Sequence, residues 1–147
     1  MKEATGYWII ITSRGYWSKL KDMGVWGFSE KDKARLDTIK SGDKALIYMT
    51  ADGGKYKSAI GGVVKFIGKP WKVDGGKNLF DAMYPNRIKT KVSQVIEPPL
   101  EFSQYVGKVS FVGKGKNWGS GLQGQPVKPI TEEDYAFLMK EIERETK

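Results

Sequence analysis

The sequence predicts a small α+β domain in which a curved, mostly antiparallel β-sheet carries short helices at its ends. Three observations lead to this prediction. Runs of β-branched and aromatic residues recur along the chain, the first being Tyr7–Thr12, and such runs are typical of buried strands. Turn-forming glycines and aspartates separate consecutive runs, as they do in hairpins. The last amphipathic stretch, from Thr131 to Ile142, has the periodicity of a helix.

The first part of the chain alternates strands with short helices. Tyr7–Thr12 is an unbroken run of β-branched and aromatic residues and is predicted to be a central strand buried on both faces. Tyr16–Met23 has near-helical apolar spacing and is predicted to be a short helix. A capping signal at Ser29–Asp32 predicts a second short helix, and Lys44–Met49 is predicted to be the next strand.

A hairpin with a long loop is expected in the middle of the chain. Turn residues at Ala51–Gly54 separate the strand before them from a predicted strand at Ser58–Ile67. Two adjacent glycines, Gly61 and Gly62, predict a bulge or a close backbone approach within that strand. The segment Gly68–Asn86 lacks periodicity and is predicted to be a long loop of the kind that often carries function.

The last third is predicted to contain a strand, a helix, a loop and a terminal helix. Arg87–Ile96 alternates apolar and basic residues, which predicts one buried and one basic face, ended by the Pro98-Pro99 pair. Glu101–Val112 is compatible with a helix or a strand, and we favour a helix. Gly113–Gly124 is a glycine-rich basic loop, and Thr131 is the expected N-cap of the terminal helix.

Length and charge suggest one basic domain. The 147 residues fit a single domain spanning 1–147, and 25 Lys and Arg against 17 Asp and Glu give a formal charge of +8. This excess favours polyanionic partners, although a merely solvated basic surface is the alternative. No apolar run approaches the roughly 20 residues that span a bilayer, and no signal-peptide pattern is present. We therefore expect a cytoplasmic monomer without membrane association.

Two absences restrict the chemistry. The chain contains no cysteine and no histidine, which excludes disulfides, thiolate nucleophiles, serine-histidine mechanisms and histidine or cysteine metal sites. The candidate acids Asp43, Asp52, Asp74 and Asp81 all lie in turn-like contexts, where aspartate usually makes local hydrogen bonds. We therefore expect no cofactor, no metal and no catalytic activity.

Trp26 lies between Gly24 and Gly27, residues that weaken helices and strands. We therefore expect it at an edge and not on a regular helical or strand face. Two hypotheses remain open: the indole plugs the end of a small core, which base rates favour, or it forms one wall of a pocket for a planar ligand. Trp71 and Trp118 lie in predicted loops and would add to such a pocket if the loops converge.

Four stretches carry a resemblance to a known family. In order and spacing, Tyr7–Ser13, Gly24–Gly27, Ser41–Lys44 and Tyr84–Arg87 resemble an EVE domain, and the similarity extends to the start of the terminal helix. This resemblance implies a PUA-like fold, a curved barrel-like sheet related to PUA, ASCH and YTH domains. It implies no enzyme activity. YTH domains hold a methylated adenine in an aromatic cage, and the resemblance implies that Trp26 forms one wall of such a cage.

The same resemblance implies a set of site residues. Thr12, Ser13 and Arg14 would offer polar groups to a base edge, although Arg14 stands where YTH domains commonly have asparagine, so specificity for methyladenine does not transfer. Tyr84 and Arg87 match the Tyr-Pro-x-Arg element of EVE domains. The predicted nucleobase-binding residues are Thr12, Ser13, Arg14, Trp17, Trp26, Trp71, Tyr84, Arg87 and Trp118. The predicted phosphate-binding residues are Lys89, Lys91, Lys114 and Lys116.

The sequence therefore predicts a non-catalytic module that reads a modified or flipped nucleobase in RNA or DNA. The main alternative is a general RNA-binding module of PUA-like fold that recognises backbone and shape, with structural tryptophans. A protein-interaction module has no specific signal in the sequence, and an enzyme is disfavoured by the absent residue types.

Overall fold

A six-stranded mixed sheet dominates the computed structural model, which describes residues 5–28, 30–51, 57–72, 86–112 and 127–145. The strands within these ranges are β1 (Tyr7–Thr12), β2 (Val25–Phe28), β3 (Lys44–Met49), β4 (Ala59–Lys72), β5 (Asn86–Glu101) and β6 (Val127–Ile130). Their order is β2-β5-β4-β3-β1-β6. The β1 strand pairs with β3 in parallel, and the other pairings within the described ranges are antiparallel. The sheet curls into a half-barrel, as predicted.

The helices are short except the last. They are α1 (Arg14–Leu20), α2 (Lys33–Leu36) and α3 (Glu132–Glu145), with 3-10 turns at Glu30–Asp32 and Ser103–Tyr105. These elements confirm the two short helices and the terminal helix predicted from the sequence. Within the described ranges, none of the helices combines the length and apolarity needed to cross a bilayer.

The first strand is buried on both faces because it lies between two others. Thr12 is registered with Met49 on β3, and Ile9 is registered with Lys128 on β6. Ile9 and Ile10 point to opposite faces, yet both are 0% exposed. The prediction of a central strand is confirmed.

Each face of the sheet carries its own hydrophobic cluster. The cluster beside α1, which we call the α1 core, includes Trp8, Ile10, Trp17, Trp26, Phe28, Ala45, Ile47, Phe66 and Ile88. The cluster beneath α3, which we call the α3 core, includes Ile9, Leu46, Tyr48, Ile60, Phe102, Tyr105, Leu138 and Ile142. Alternation along β3 divides its side chains between the two cores, because successive residues of a strand point to opposite faces.

A buried carboxylate ties the turn before β3 to the start of β1. Asp43 is 1% exposed, and its Oδ1 accepts a hydrogen bond from Gly6 N at 2.8 Å. Its Oδ2 accepts from Lys40 N at 2.8 Å and from Trp8 Nε1 at 3.0 Å. The Lys40 ammonium lies 3.7 Å from Oδ1. The bond from Lys40 N is the local hydrogen bond expected from the turn context, whereas the bonds from Gly6 N and Trp8 Nε1 are long-range, and the latter orients the Trp8 indole.

The helix predicted at Glu101–Val112 is wrong. Only Ser103–Tyr105 form a 3-10 turn, and turns and bends follow it. Gly107 has a φ of 88°, in the left-handed region that a right-handed helix excludes. This irregular path buries Phe102 and Val109, so the apolar residues cover the α3 core without lying on one helical face.

Three strands also differ from the prediction. The β4 strand extends to Lys72, into the predicted loop, and β6, which contains Pro129 and ends just before the N-cap Thr131, was not predicted. The β5 strand continues past Pro98 and Pro99 to Glu101. The prolines fall in a register shift between β4 and β5, where the missing N–H interrupts no ladder. The predicted bulge at Gly61 is confirmed, since the register shifts between Ile60 and Gly62.

The N-cap of α3 provides a direct stability test. Thr131 Oγ1 accepts a hydrogen bond from Asp134 N at 3.0 Å. Thr131→Ala leaves that N–H without its cap, so we expect the free energy of unfolding to fall by about 1 kcal/mol. Urea denaturation measures the change. Thr131→Ser keeps the hydroxyl and should retain most of the stability, and equal losses in both variants would contradict the capping role.

Candidate nucleobase site

The polar end of β1 leads directly into α1. Thr12 O accepts a hydrogen bond from Thr50 N at 2.8 Å, and Ser13 is the N-cap of the helix. Ser13 Oγ accepts from Tyr16 N at 3.1 Å, and Ser13 O accepts from Trp17 N at 3.0 Å. The predicted residues Thr12 and Ser13 therefore lie where β1 and its parallel neighbour β3 both end.

Arg14 is half-buried beside this end of the sheet. Its Nη2 donates to Lys57 O at 2.8 Å, which ties α1 to the chain just before β4. A guanidinium has five N–H donors in a planar fork, so this contact orients the group.

Two of the predicted tryptophans form a buried pair. Trp17 on α1 and Trp26 on β2 have ring centroids 6.2 Å apart with planes inclined by 34°. Their exposed fractions are 5% and 4%, and both belong to the α1 core. We call these two residues the tryptophan pair.

The expectation that Trp26 does not lie on a regular strand face is wrong, but its expected position at an edge agrees with the structure. Trp26 is on the edge strand β2, registered with Ile88 on β5, while Gly27 is registered with Arg87. Gly24 alone supplies the turn, with a φ of 70°. Packing overrides the weak strand propensity of Gly27, because alternation along β2 points Trp26 and Phe28 into the same core.

The two glycines of β4 form the floor under Trp17. A Cβ on Gly62 would lie 2.9 Å from Trp17 Cη2 and 3.1 Å from Gln94 O. A Cβ on Gly61 would lie 2.7 Å from Met49 Cε and 3.3 Å from Trp17 Cδ1. The glycine pair predicted a bulge or a close backbone approach, but nothing in the sequence identified Trp17 as the approaching group.

Trp71 and Arg87 lie together, apart from the tryptophan pair. Trp71 on β4 is registered opposite Arg87 on β5, which is in turn opposite Gly27. Residues directly opposite each other share a face, so this set occupies the face opposite to that of Trp26. Trp71 is 43% exposed, whereas Arg87 is 6% exposed. The alternation predicted a basic face that contains Arg87, Lys89 and Lys91. Of these three residues, only Lys89 and Lys91 are exposed.

Thr12, Ser13, Arg14 and Trp17 thus lie where β1 passes into α1, and Trp26 on β2 joins them through its ring contact with Trp17. The structure places Trp71, Arg87, Lys89 and Lys91 on the other face of the sheet. Tyr84, Trp118, Lys114 and Lys116 lie outside the described residues, as do Asp52, Asp74 and Asp81.

Acid–base groups with shifted pKa values lie away from the tryptophan pair. Burial raises the pKa of Tyr135 to about 12. Burial also raises the pKa of Tyr48, an effect that a hydrogen bond to Ser58 partly offsets. These phenols are neutral at physiological pH. In the described ranges, no group of three or more aspartates and glutamates is arranged to hold a metal ion.

An open groove lies between β5 and α3. It has a volume of about 460 Å³ and is lined by Gln94, Ala136, Met139, Lys140 and Glu143. None of these residues is among the predicted site residues, so the groove is separate from the candidate nucleobase site.

The curled mixed sheet with its C-terminal helix is a PUA-like architecture. Within this class, the chain belongs to the EVE domain family, whose model matches residues 6–141. A UPF0310 protein of Pyrococcus horikoshii is 31% identical over 147 residues, covering 91% of this chain and 97% of the relative. The family suggested by the sequence motifs is therefore confirmed.

Two solved structures have the same fold at low sequence identity. The human THYN1 protein in complex with DNA containing 5-methylcytosine has a TM-score of 0.62 and 12% identity, over 95% of this chain and 98% of that one. The Mmi1 YTH domain has a TM-score of 0.64 and 10% identity, over 99% of this chain and 79% of that one. These similarities confirm the predicted relation to the YTH fold.

Proposed function

We propose that this protein is a non-catalytic nucleic-acid-binding module that accepts a modified or flipped nucleobase at the tryptophan pair. The observation that carries the proposal is the 6.2 Å approach of the Trp17 and Trp26 rings beside the polar end of β1. Indoles offer flat, polarisable faces to a base, while hydroxyl, guanidinium and backbone groups supply the hydrogen bonds that distinguish base edges.

In this proposal the polar residues read the base edge. Thr12 and Ser13 stand where a strand passes into a helix, and Arg14 is oriented by its hydrogen bond to Lys57 O. Arg14 replaces an amide of the YTH pattern, so a different set of donors faces the ligand. The specificity of YTH domains for methyladenine therefore does not transfer to this chain.

The remaining predicted residues would complete the contacts. We assign Trp71, Tyr84, Arg87 and Trp118 to the nucleic acid around the selected base. Lys89, Lys91, Lys114 and Lys116 would bind phosphates. The THYN1 structure supports the proposal because that protein, which shares the fold, is seen with DNA containing a modified base. The formal charge of +8 is also consistent with a polyanionic ligand.

The pair is closed in this structure, since its members are only 5% and 4% exposed. Base entry therefore requires outward movement of α1 or of half-buried residues that pack against the α1 core, Tyr16 and Met23 among them. A flipped base costs a few kcal/mol of unstacking, and least when it is damaged, mismatched or already unpaired. This energetic difference would favour single-stranded or modified sites.

The same burial favours a second candidate. If the indoles serve only the core, the protein is a general RNA-binding module that recognises backbone and shape. The logarithm of its affinity would then fall linearly with the logarithm of salt concentration, and its affinity would not depend on base modification.

Indole N–H resonances distinguish the two candidates. On titration of ¹⁵N-labelled protein with methylated and unmodified nucleosides, we expect one modified nucleoside to shift the signals of Trp17 and Trp26. Trp8 is an internal reference, because its Nε1 is held by Asp43 at 3.0 Å. Trp26→Phe should weaken binding by about fivefold or more, since base stacking is worth about 1 to 3 kcal/mol.

A matched variant controls for loss of packing. Phe111→Leu removes a buried aromatic of the α3 core and should lower stability without changing nucleoside affinity. Unshifted Trp17 and Trp26 signals, together with salt-dependent binding that ignores modification, would reject the base-reading proposal and support the backbone-binding candidate.

A further inference from the structure

Three exposed lysines stand side by side across the sheet. Lys44 on β3 is registered with Lys65 on β4, and Lys65 is registered with Lys91 on β5. Directly opposite residues share a face, and adjacent strands are about 4.8 Å apart, so the outer two Cα atoms are separated by roughly 10 Å. We call these three residues the lysine row.

The row is electrostatically unfavourable in the protein alone. Like charges directly opposite each other destabilise a pair of strands. In the described ranges, no aspartate or glutamate lies within ion-pair distance of any of these three ammonium groups. An anionic ligand that spans the row would relieve this repulsion.

Further groups continue the same face along β5. Lys89 lies two residues from Lys91, so its side chain has the same orientation about 7 Å away. Two residues further lies Arg87, opposite Trp71, and the Trp71 indole is 43% exposed. The face thus combines a transverse row of cations with an exposed aromatic ring beyond it. The tryptophan pair occupies the other face, because Trp26 alternates with Gly27.

We propose that the lysine row binds the phosphodiester backbone of a single-stranded nucleic acid, and that Trp71 stacks on one of its bases. The inference rests on the proposed function only in taking nucleic acid as the ligand, and it does not require base reading by the tryptophan pair. An exposed indole beside cations favours a single strand over an acidic protein surface or a duplex, because only unpaired bases offer free faces for stacking.

The test replaces the row and measures affinity at several salt concentrations. The variant Lys44→Gln, Lys65→Gln, Lys91→Gln removes three positive charges. Since each phosphate contact to a single strand contributes about 0.7 to the slope of log affinity against log salt, the slope should fall by about 2. Affinity at 0.1 M salt should fall on the order of a hundredfold. Oligo(dU) and oligo(U) of about 12 nucleotides are the probes, and because they differ only in the 2′-hydroxyl, comparing them separates DNA from RNA backbones.

A second triple variant controls for net charge. Lys31→Gln, Lys108→Gln, Lys140→Gln changes three exposed lysines on other elements and should leave most of the affinity and slope intact. Thermal unfolding adds an independent readout, because relief of cross-strand repulsion should leave the row variant at least as stable as wild type. Equal effects of the two triple variants, or an unchanged slope in the row variant, would overturn the proposal.

Trp71 is tested separately. It is exposed, so Trp71→Ala should fold normally and weaken oligonucleotide binding by at least about fivefold. An unchanged affinity would remove Trp71 from the site. The nucleoside titrations with Trp26→Phe distinguish this failure from failure of the base-reading proposal. Nucleosides carry no phosphate, so a loss of nucleoside binding tests only the tryptophan pair. The triple variant of the lysine row tests only the binding of the phosphodiester backbone.

Discussion

Replacing Asp43 by alanine is expected to lower the free energy of unfolding by about 3 to 5 kcal/mol. The carboxylate is 1% exposed and accepts hydrogen bonds from Gly6 N, Lys40 N and Trp8 Nε1. Alanine leaves these donors in a site that water barely reaches. A loss of this size is a large part of the roughly 5 to 15 kcal/mol that stabilises a typical domain.

Urea denaturation of Asp43→Ala and two companion variants checks this expectation. Asp43→Asn keeps one acceptor oxygen but sets its NH₂ against a donor, so an intermediate loss is expected. Asp37→Ala removes an exposed carboxylate that pairs with Lys33 at 2.9 Å and should cost less than about 1 kcal/mol. If Asp43→Ala cost no more than Asp37→Ala, the buried clamp would not be a major source of stability.

Substitution of Gly62 by alanine is the second large expected effect. The added Cβ would meet Trp17 Cη2 at 2.9 Å and Gln94 O at 3.1 Å, so the indole or the strand must shift. Overpacking of this kind destabilises by about 1 to 3 kcal/mol, and we expect the upper end because one neighbour is backbone. Since Trp17 contacts Trp26, the variant should also shift both indole N–H resonances.

Gly15→Ala is the matched control for this variant. A Cβ on Gly15 meets nothing within 4 Å, and the residue is helical, so alanine should stabilise the protein by up to about 1 kcal/mol. Combining Gly62→Ala with Trp17→Leu tests the mechanism, because a smaller side chain makes room for the methyl group. Strictly additive losses in the double variant would show that the contact with Trp17 is not the cause.

Burial patterns explain which parts of the fold were predictable. Tyr7–Thr12 could be predicted as a strand because all its residues are β-branched or aromatic. The α3 helix could be predicted because its N-cap and its apolar periodicity agree. The path of Glu101–Val112 is not readable, because the same apolar residues fit a helix until Gly107 takes a φ of 88°. The position of Pro98 and Pro99 within β5 could not be predicted from the sequence either, since it depends on a register shift between β4 and β5.

The candidate site was predictable in its residue types but not in its arrangement. Local motifs identify Ser13 and Trp26, whereas the division of the predicted residues between two faces depends on pairing. Alternation grouped Arg87 with Lys89 and Lys91, but the structure buries only Arg87. The lysine row could not be found, because Lys44, Lys65 and Lys91 are distant in sequence and only strand register aligns them.

The parallel pairing of β1 with β3 has a consequence for how such domains diversify. Parallel neighbours need a crossover connection, and here residues 13–43 form it and carry both members of the tryptophan pair. The lysine row lies outside that segment, on β3, β4 and β5. Substitutions in the crossover can therefore change the surroundings of the tryptophan pair without altering the strands that present the lysine row.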